Sequence, residues 1–192
     1  MKICKVKGCD NKILANSYCN KHCHQLRRCG KILKRTTSQK NETKLVANTC
    51  YMNIYNNHSE KIAVTKFSKK YYKEVVKHKW HISHDGYAAT TLNSKRTSLH
   101  VFIKGKRRNL VLDHIDRDKL NNEDNNLRFV TLYQNSINRE SKGYSWSKQS
   151  KKWKVVVTIN KVKKYFGLYK TEKEAKKVAD KVIEERYKKV FG

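Results

Sequence analysis

The sequence predicts an α+β chain built from several small modules rather than around one large core. Three observations lead there. Apolar residues make up 38% of the 192 positions, below the ~45–50% of an ordinary globular domain. Short runs of period two, broken by Asn- and Gly-containing turns, alternate with helical segments of period 3.6. Five of the six cysteines lie before residue 30, in a stretch too short to bury a core of its own.

The charge restricts what such a chain can meet. Lys plus Arg is 45 and Asp plus Glu is 16, giving +29, far above the ~2–8 of a comfortably soluble small domain. An extended basic surface of this kind suits a polyanion. The net charge is +9 over residues 1–35, +7 over 36–98, +2 over 99–140 and +11 over 141–192. The third segment gathers six of the sixteen acids, as a cation site would. No run approaches the ~18 apolar residues of a membrane span. The start, MKICKVKGCD, has no apolar h-region. A chain in the cytoplasm, with no membrane partner and no small-molecule substrate, is the expectation.

Residues 1–35 form the first module. Cys4, Cys9, Cys19 and His22 fall as C-x4-C-x9-C-x2-H, and short-range pairs of this type each supply two corners of a zinc tetrahedron. Cys23, His24 and Cys29 are rivals for the fourth place. Arg27, Arg28, Lys31, Lys34 and Arg35 follow as a phosphate-gripping edge. Residues 36–48 (TTSQKNETKLVAN) are polar and aperiodic, and read as a linker.

Residues 49–98 read as a β-rich region. Cys50, Met52 and Ile54 alternate with polar or aromatic residues, Asn56-Asn57-His58 turns the chain, and Ile62 to Phe67 resumes the alternation, which together predict a hairpin. Ser68 caps a predicted helix, SKKYYKEVVKHK. Trp80–Ile82, Tyr87–Leu92 and Thr97–Ile103, joined by Asp85-Gly86 and Asn93-Ser94 turns, predict a three-stranded meander.

Residues 99–140 read strand, loop, strand, helix. Leu110 to His114 is one strand, Ile115 to Asn125 a polar loop, and Leu127 to Val130 the second strand. Thr131 with Gln134 three residues on is a capping box. Asp113, His114, Asn126 and Asn135 stand at the strand ends and helix start, where they can converge. Asp113 is a hard oxygen ligand suited to one Mg²⁺ or Mn²⁺, and Asn135 offers an amide oxygen, with Asn138 one turn on as its rival. His114 is fit to take a proton from water, and Asn126 to fix the imidazole. Adjacent strand residues face opposite ways, so Asp113 and His114 share a site only where the strand ends or twists.

Residues 141–192 predict a three-stranded sheet backed by one helix. Trp153, Val155, Val157 and Ile159 alternate, Asn160-Lys161 turns the chain, and Val162 to Tyr169 follows. Thr171-x-x-Glu174 is a second capping box, and Ala175, Val178, Ala179, Val182 and Ile183 line one helix face.

Two resemblances give these patterns a functional reading. LDHIDRDKLNNEDNNLRFVTLYQNSIN resembles the HNH signature, the ββα-metal unit of phage and intron homing endonucleases. The Asp-His pair, Asn126 in Asn-Leu-Arg and Asn135 in Gln-Asn fall at that family's spacings. The resemblance implies His114 as water-activating base, Asp113 and Asn135 as metal ligands and Asn126 as the residue that orients the base. His100 and Arg128 are expected against DNA. Residues 143–192 resemble the plant ethylene-response-factor DNA-binding domain, through Gly143, Trp146, Lys-Trp153-Lys, Phe166-Gly167 and the Thr-x-x-Glu-Ala helix start. This implies that Trp146, Lys148, Trp153, Lys154, Lys163 and Lys164 contact DNA. The finger resembles the short fingers ahead of some HNH enzymes. The expectation is a homing-type endonuclease acting on double-stranded DNA, as a monomer, with one divalent metal and one structural zinc. The alternative is a non-catalytic DNA-binding regulator with a relic nuclease core.

Overall fold

The computed structural model describes residues 2–33 and 39–192. Lys34 and Arg35 of the expected basic edge, and residues 36–38 of the expected linker, lie outside the described residues. The fold is α+β, with small separate sheets and five α-helices among the described residues. It divides into two compact units, Met1–Gly105 with Lys119–Asn126, and Lys106–Asp118 with Leu127–Gly192. The segment expected to form the nuclease core thus contributes residues to both.

The first unit opens on a small knuckle with bridges Ile3–Lys12 and Ala15–Tyr18, followed by α1 (Asn20–Cys29). Gly30 ends α1 in the left-handed conformation at φ +68°, donating its N–H to Leu26 O. Strands β1 (Thr43–Val46), β2 (Thr49–Tyr55) and β3 (Lys61–Ser68) then form an antiparallel meander. The polar stretch read as a linker therefore contains an edge strand. It forms because β2 offers it backbone partners, Thr43 opposite Met52 through Val46 opposite Thr49, and not because its own pattern demands one. The predicted helix after Ser68 is cut to a 3₁₀ turn (Lys69–Tyr71) and the one-turn α2 (Tyr72–Val75). β4 (His81–Ile82), β5 (Ala88–Leu92) and β6 (Lys95–Ser98) make the second meander.

The strand expected to run to Ile103 stops at Ser98, and Leu99–Lys104 is helix α3. Leu99, Phe102 and Ile103 stand at i, i+3 and i+4, so a helix turns all three onto the core of Cys50, Met52, Ile54, Phe67, Val75 and Trp80. Trp80 is fully buried and donates Nε1–H to Val75 O at 2.8 Å.

In the second unit, β7 (Val111–His114) pairs antiparallel with β9 (Leu127–Val130). Between them in sequence, β8 (Asn121–Asn122) runs parallel to β3 as part of the first unit. There Thr65 Oγ1 donates to Leu120 O at 2.8 Å and Asn122 Nδ2 to Thr65 Oγ1 at 2.9 Å. Lys104, Lys70 and Tyr71 converge on Asp124 and hold its carboxyl well below the usual carboxylate range. Helix α4 (Leu132–Asn138) begins on the predicted Thr131/Gln134 capping box. Strands β10 (Tyr144–Ser147), β11 (Lys152–Ile159) and β12 (Val162–Tyr169) form a meander packed on α5 (Glu172–Phe191), which starts on the Thr171/Glu174 box. Val155, Val157, Ala175 and Ala179 are its buried centre. Gly143, at φ +68°, is required by that packing: a Cβ there would lie 3.0 Å from Ile183 Cδ1 and 3.2 Å from Val157 Cγ2.

Candidate functional site

The cysteine cluster is the more complete of two candidate sites. Cys4, Cys9, Cys19 and His22 bring one ligand atom each to within 4.8 Å of all the others. Cys9 Sγ and Cys19 Sγ are 3.8 Å apart, Cys4 Sγ and His22 Nδ1 3.1 Å, and Cys19 Sγ and His22 Nδ1 3.4 Å. Zinc–sulfur bonds of ~2.3 Å in a tetrahedron place sulfurs about 3.8 Å apart, so the donor set and spacing fit zinc. Backbone and side-chain N–H groups of Asn11 hold the Cys9 thiol below its usual range, while burial and the neighbouring Cys9 and Cys4 push the Cys19 thiol up. Two of the three rivals are engaged elsewhere. Cys23 Sγ points to Ala15 O and Tyr18 O at 3.4 Å, and Cys29 Sγ lies 3.4 Å from His58 Nδ1. His24 is exposed.

Beyond the ligands, Arg27 and Arg28 form the last turn of α1. Together with Lys21, His24, Gln25 and Leu33 they line a surface pocket of ≈ 630 Å³. Arg28 Nη2 donates to Asn57 O at 2.6 Å, while Arg27 is exposed.

The second candidate site forms at the end of β7. The strand stops at His114, and the chain turns there with Arg117 N–H donating to His114 O at 2.9 Å. Asp113 and His114 are both buried. Opposite Asp113 in register stands Arg128, whose Nε and Nη2 each reach Asp113 Oδ2 at 3.0 Å. From α4, buried Asn138 donates Nδ2–H to Asp113 Oδ1 and Oδ2 at 3.0 Å and to His114 O at 2.8 Å. Its Oδ1 accepts from Arg117 Nε at 3.4 Å. One amide thus clamps the strand end to the helix.

Asn135, on the turn before, is half-buried, and the Asp113 carboxylate is met by Asn138 rather than by Asn135. Arg128, expected against DNA, is engaged with Asp113. In the first unit, buried Asn126 donates Nδ2–H to Asn121 O at 2.8 Å and so braces the loop. His100 is buried in α3, its ring 4.9 Å from that of Tyr87.

The sheet residues expected against DNA fall on two faces. Register places Ser145 opposite Lys154, Lys154 opposite Leu168, Val156 opposite Tyr165 and Thr158 opposite Lys163, all on the face away from α5. Lys154, Lys163, Tyr165 and Leu168 are exposed there. Trp153 instead packs with the α5-side core, and Trp146, opposite it, meets it edge-on at 5.4 Å. Their indoles are on the helix side of the sheet, not on its open face. Lys164, opposite Val157, has the helix-side register and is exposed, and Lys148 is exposed in the turn after β10.

Among known proteins, an uncharacterized HNH endonuclease of Acanthamoeba polyphaga mimivirus is 38% identical over 73 residues, covering 35% of this chain and 38% of that protein. The chain therefore spans little more than a third of that relative's length. No family model matches the chain, and no solved structure does. Part of the chain is thus similar to an HNH endonuclease. The resemblance of residues 141–192 to ethylene-response-factor domains gains no support from known proteins; what stands there is a three-stranded antiparallel sheet packed on one helix. No helix among the described residues is long and apolar enough to cross a membrane.

Proposed function

We propose that this chain is a metal-dependent, HNH-type endonuclease, of the homing kind, that hydrolyses phosphodiester bonds in double-stranded DNA. The observation that carries the reading is the end of β7, where buried Asp113 and His114 are adjacent and Asn138 closes on the carboxylate of one and the backbone of the other. The partial similarity to an HNH endonuclease and the net charge of +29 point the same way.

In this reading His114 takes the proton from the attacking water. Asp113 and one amide, that of Asn135 or Asn138, would hold one Mg²⁺ or Mn²⁺; hard carboxylate and amide oxygens fit such an ion. When bound, the ion stabilises charge on the scissile phosphate and the leaving 3′ oxygen. Asn126 braces the loop that connects the two strands. The cysteine cluster holds one structural zinc and keeps Arg27 and Arg28 on an ordered helix. Supercoiled plasmid incubated with the protein and Mg²⁺ should be nicked or linearised, and excess EDTA should stop the reaction. Plasmid bound but left intact with Mg²⁺ and with Mn²⁺ would replace this reading by that of a DNA-binding regulator.

The open face of the β10–β12 sheet supplies phosphate contacts. Each phosphate neutralised steepens the slope of log K against log salt by about 0.9. The double variant Lys154→Ala, Lys163→Ala should therefore flatten that slope by about 1.8, measured by fluorescence anisotropy on a labelled duplex. An unchanged slope would remove this face from the DNA contact.

A further inference from the structure

Arg128 is held on Asp113 by more than the carboxylate. Its guanidinium carbon lies 3.6 Å from the centroid of the Phe191 ring, and its Nη2 donates to Tyr187 Oη at 3.2 Å. Tyr187 and Phe191 are one turn apart on α5, with ring centroids 4.7 Å apart. The last turns of α5 therefore form an aromatic cage around an arginine that reaches across from β9 to β7. Stacking orients a planar guanidinium and leaves its N–H edge free for a carboxylate. The cage aims that edge at Asp113 Oδ2.

This arrangement has an electrostatic consequence. A buried carboxylate needs a counter-charge, and Arg128 supplies it. A divalent cation at Asp113 would meet a guanidinium 3.0 Å from the same oxygen, and two cations repel each other strongly in a partly buried site. We infer that Arg128 is the resident counter-charge of the Asp113 site, and that a divalent cation binds there only by displacing it. Arg128, Tyr187 and Phe191 are then positioning residues: they act through Asp113 and set how tightly it takes metal. The inference rests on the reading of Asp113 as a metal ligand, and it makes α5 part of the active centre as well as the backing of a sheet.

The test is Mn²⁺ affinity of the full-length, zinc-loaded protein without DNA, read from the electron paramagnetic resonance of free Mn²⁺. Arg128→Gln should tighten Mn²⁺ binding by roughly tenfold, the scale of one charge-assisted hydrogen bond removed from competition. Phe191→Ala, which loosens the cage but keeps the charge, should tighten it by about two- to fivefold, the scale of one cation–π contact. Arg128→Lys should return the affinity toward wild type. Circular dichroism checks the fold of each variant, and Phe191→Ala carries the test if Arg128→Gln does not fold. Asp113→Asn separates the two claims. If it binds Mn²⁺ as wild type does, Asp113 is no ligand and the underlying reading fails. If it loses the site while Arg128→Gln and Phe191→Ala bind no tighter than wild type, the counter-charge inference alone is overturned.

Discussion

His114→Ala is expected to lower plasmid cleavage by roughly 10²–10⁴-fold, the span of general-base removal, with DNA affinity nearly unchanged. The two halves of this result have separate causes. If His114 is the group that takes the proton from water, its loss falls on the chemical step. A neutral imidazole releases few counterions, so its loss barely touches binding. The backbone at this position is secured independently of the side chain, since His114 O accepts from both Arg117 N–H and Asn138 Nδ2–H. Truncation should therefore leave the strand end in place, with Asp113 still met by Asn138. Single-turnover cleavage beside anisotropy binding on the same duplex measures both halves. A variant that cuts at the wild-type rate would move the base elsewhere, with His100 the next to replace.

How far the sequence reveals such a site depends on how local each signal is. The Thr131/Gln134 and Thr171/Glu174 boxes are four-residue motifs, and both form as read. The apolar face of α5 and the alternation of β2 and β11 are likewise properties of single elements, visible without knowing the neighbours. Leu99–Lys104 is ambiguous for a physical reason. Leu99, Val101 and Ile103 satisfy an alternating strand, while Leu99, Phe102 and Ile103 satisfy a helix, and only the core that receives them decides. β1 has no decisive pattern because it is made by pairing.

The same rule governs the sites. The spacing of Cys4, Cys9, Cys19 and His22 announces a ligand set, but choosing His22 over Cys23 and Cys29 needs the directions in which those thiols point. The role of Arg128 was hidden more deeply. Its partnership with Asp113 depends on cross-strand register, and its cage comes from Tyr187, 59 residues away in sequence. Trp153 is the converse case: flanked by lysines in sequence, it is turned toward α5 by strand parity, which sequence alone does not reveal.

Cys19→Ser is expected to unfold residues 2–33 and leave the rest of the first unit folded. Among residues 2–33 the fully buried ones are Cys4, Cys19 and His22, three of the four proposed ligands. Ile3 and Leu14 are well exposed, so among the described residues no apolar core stands behind the Cys/His cluster. The contacts that tie α1 and the residues after it to the loop at Asn57–Glu60 are exposed and polar: Arg28 to Asn57 O, Lys31 to Glu60 and Cys29 near His58. Exposed ion pairs of this kind contribute little, whereas structural zinc contributes apparent binding energies of about 10–16 kcal/mol in finger peptides. The freshly purified protein should contain about one zinc, and Cys19→Ser should lower that content. Amide hydrogen exchange should show lost protection in α1, with β2, β3 and the core around Trp80 keeping theirs, because that core is built from Cys50, Met52, Ile54, Phe67, Val75 and Leu99 and takes nothing from the knuckle. Any cleavage by the variant should still need added Mg²⁺, since Asp113 lies outside the cluster. Wild-type protein purified without zinc, yet with α1 protected from exchange, would mean that something other than metal orders these residues.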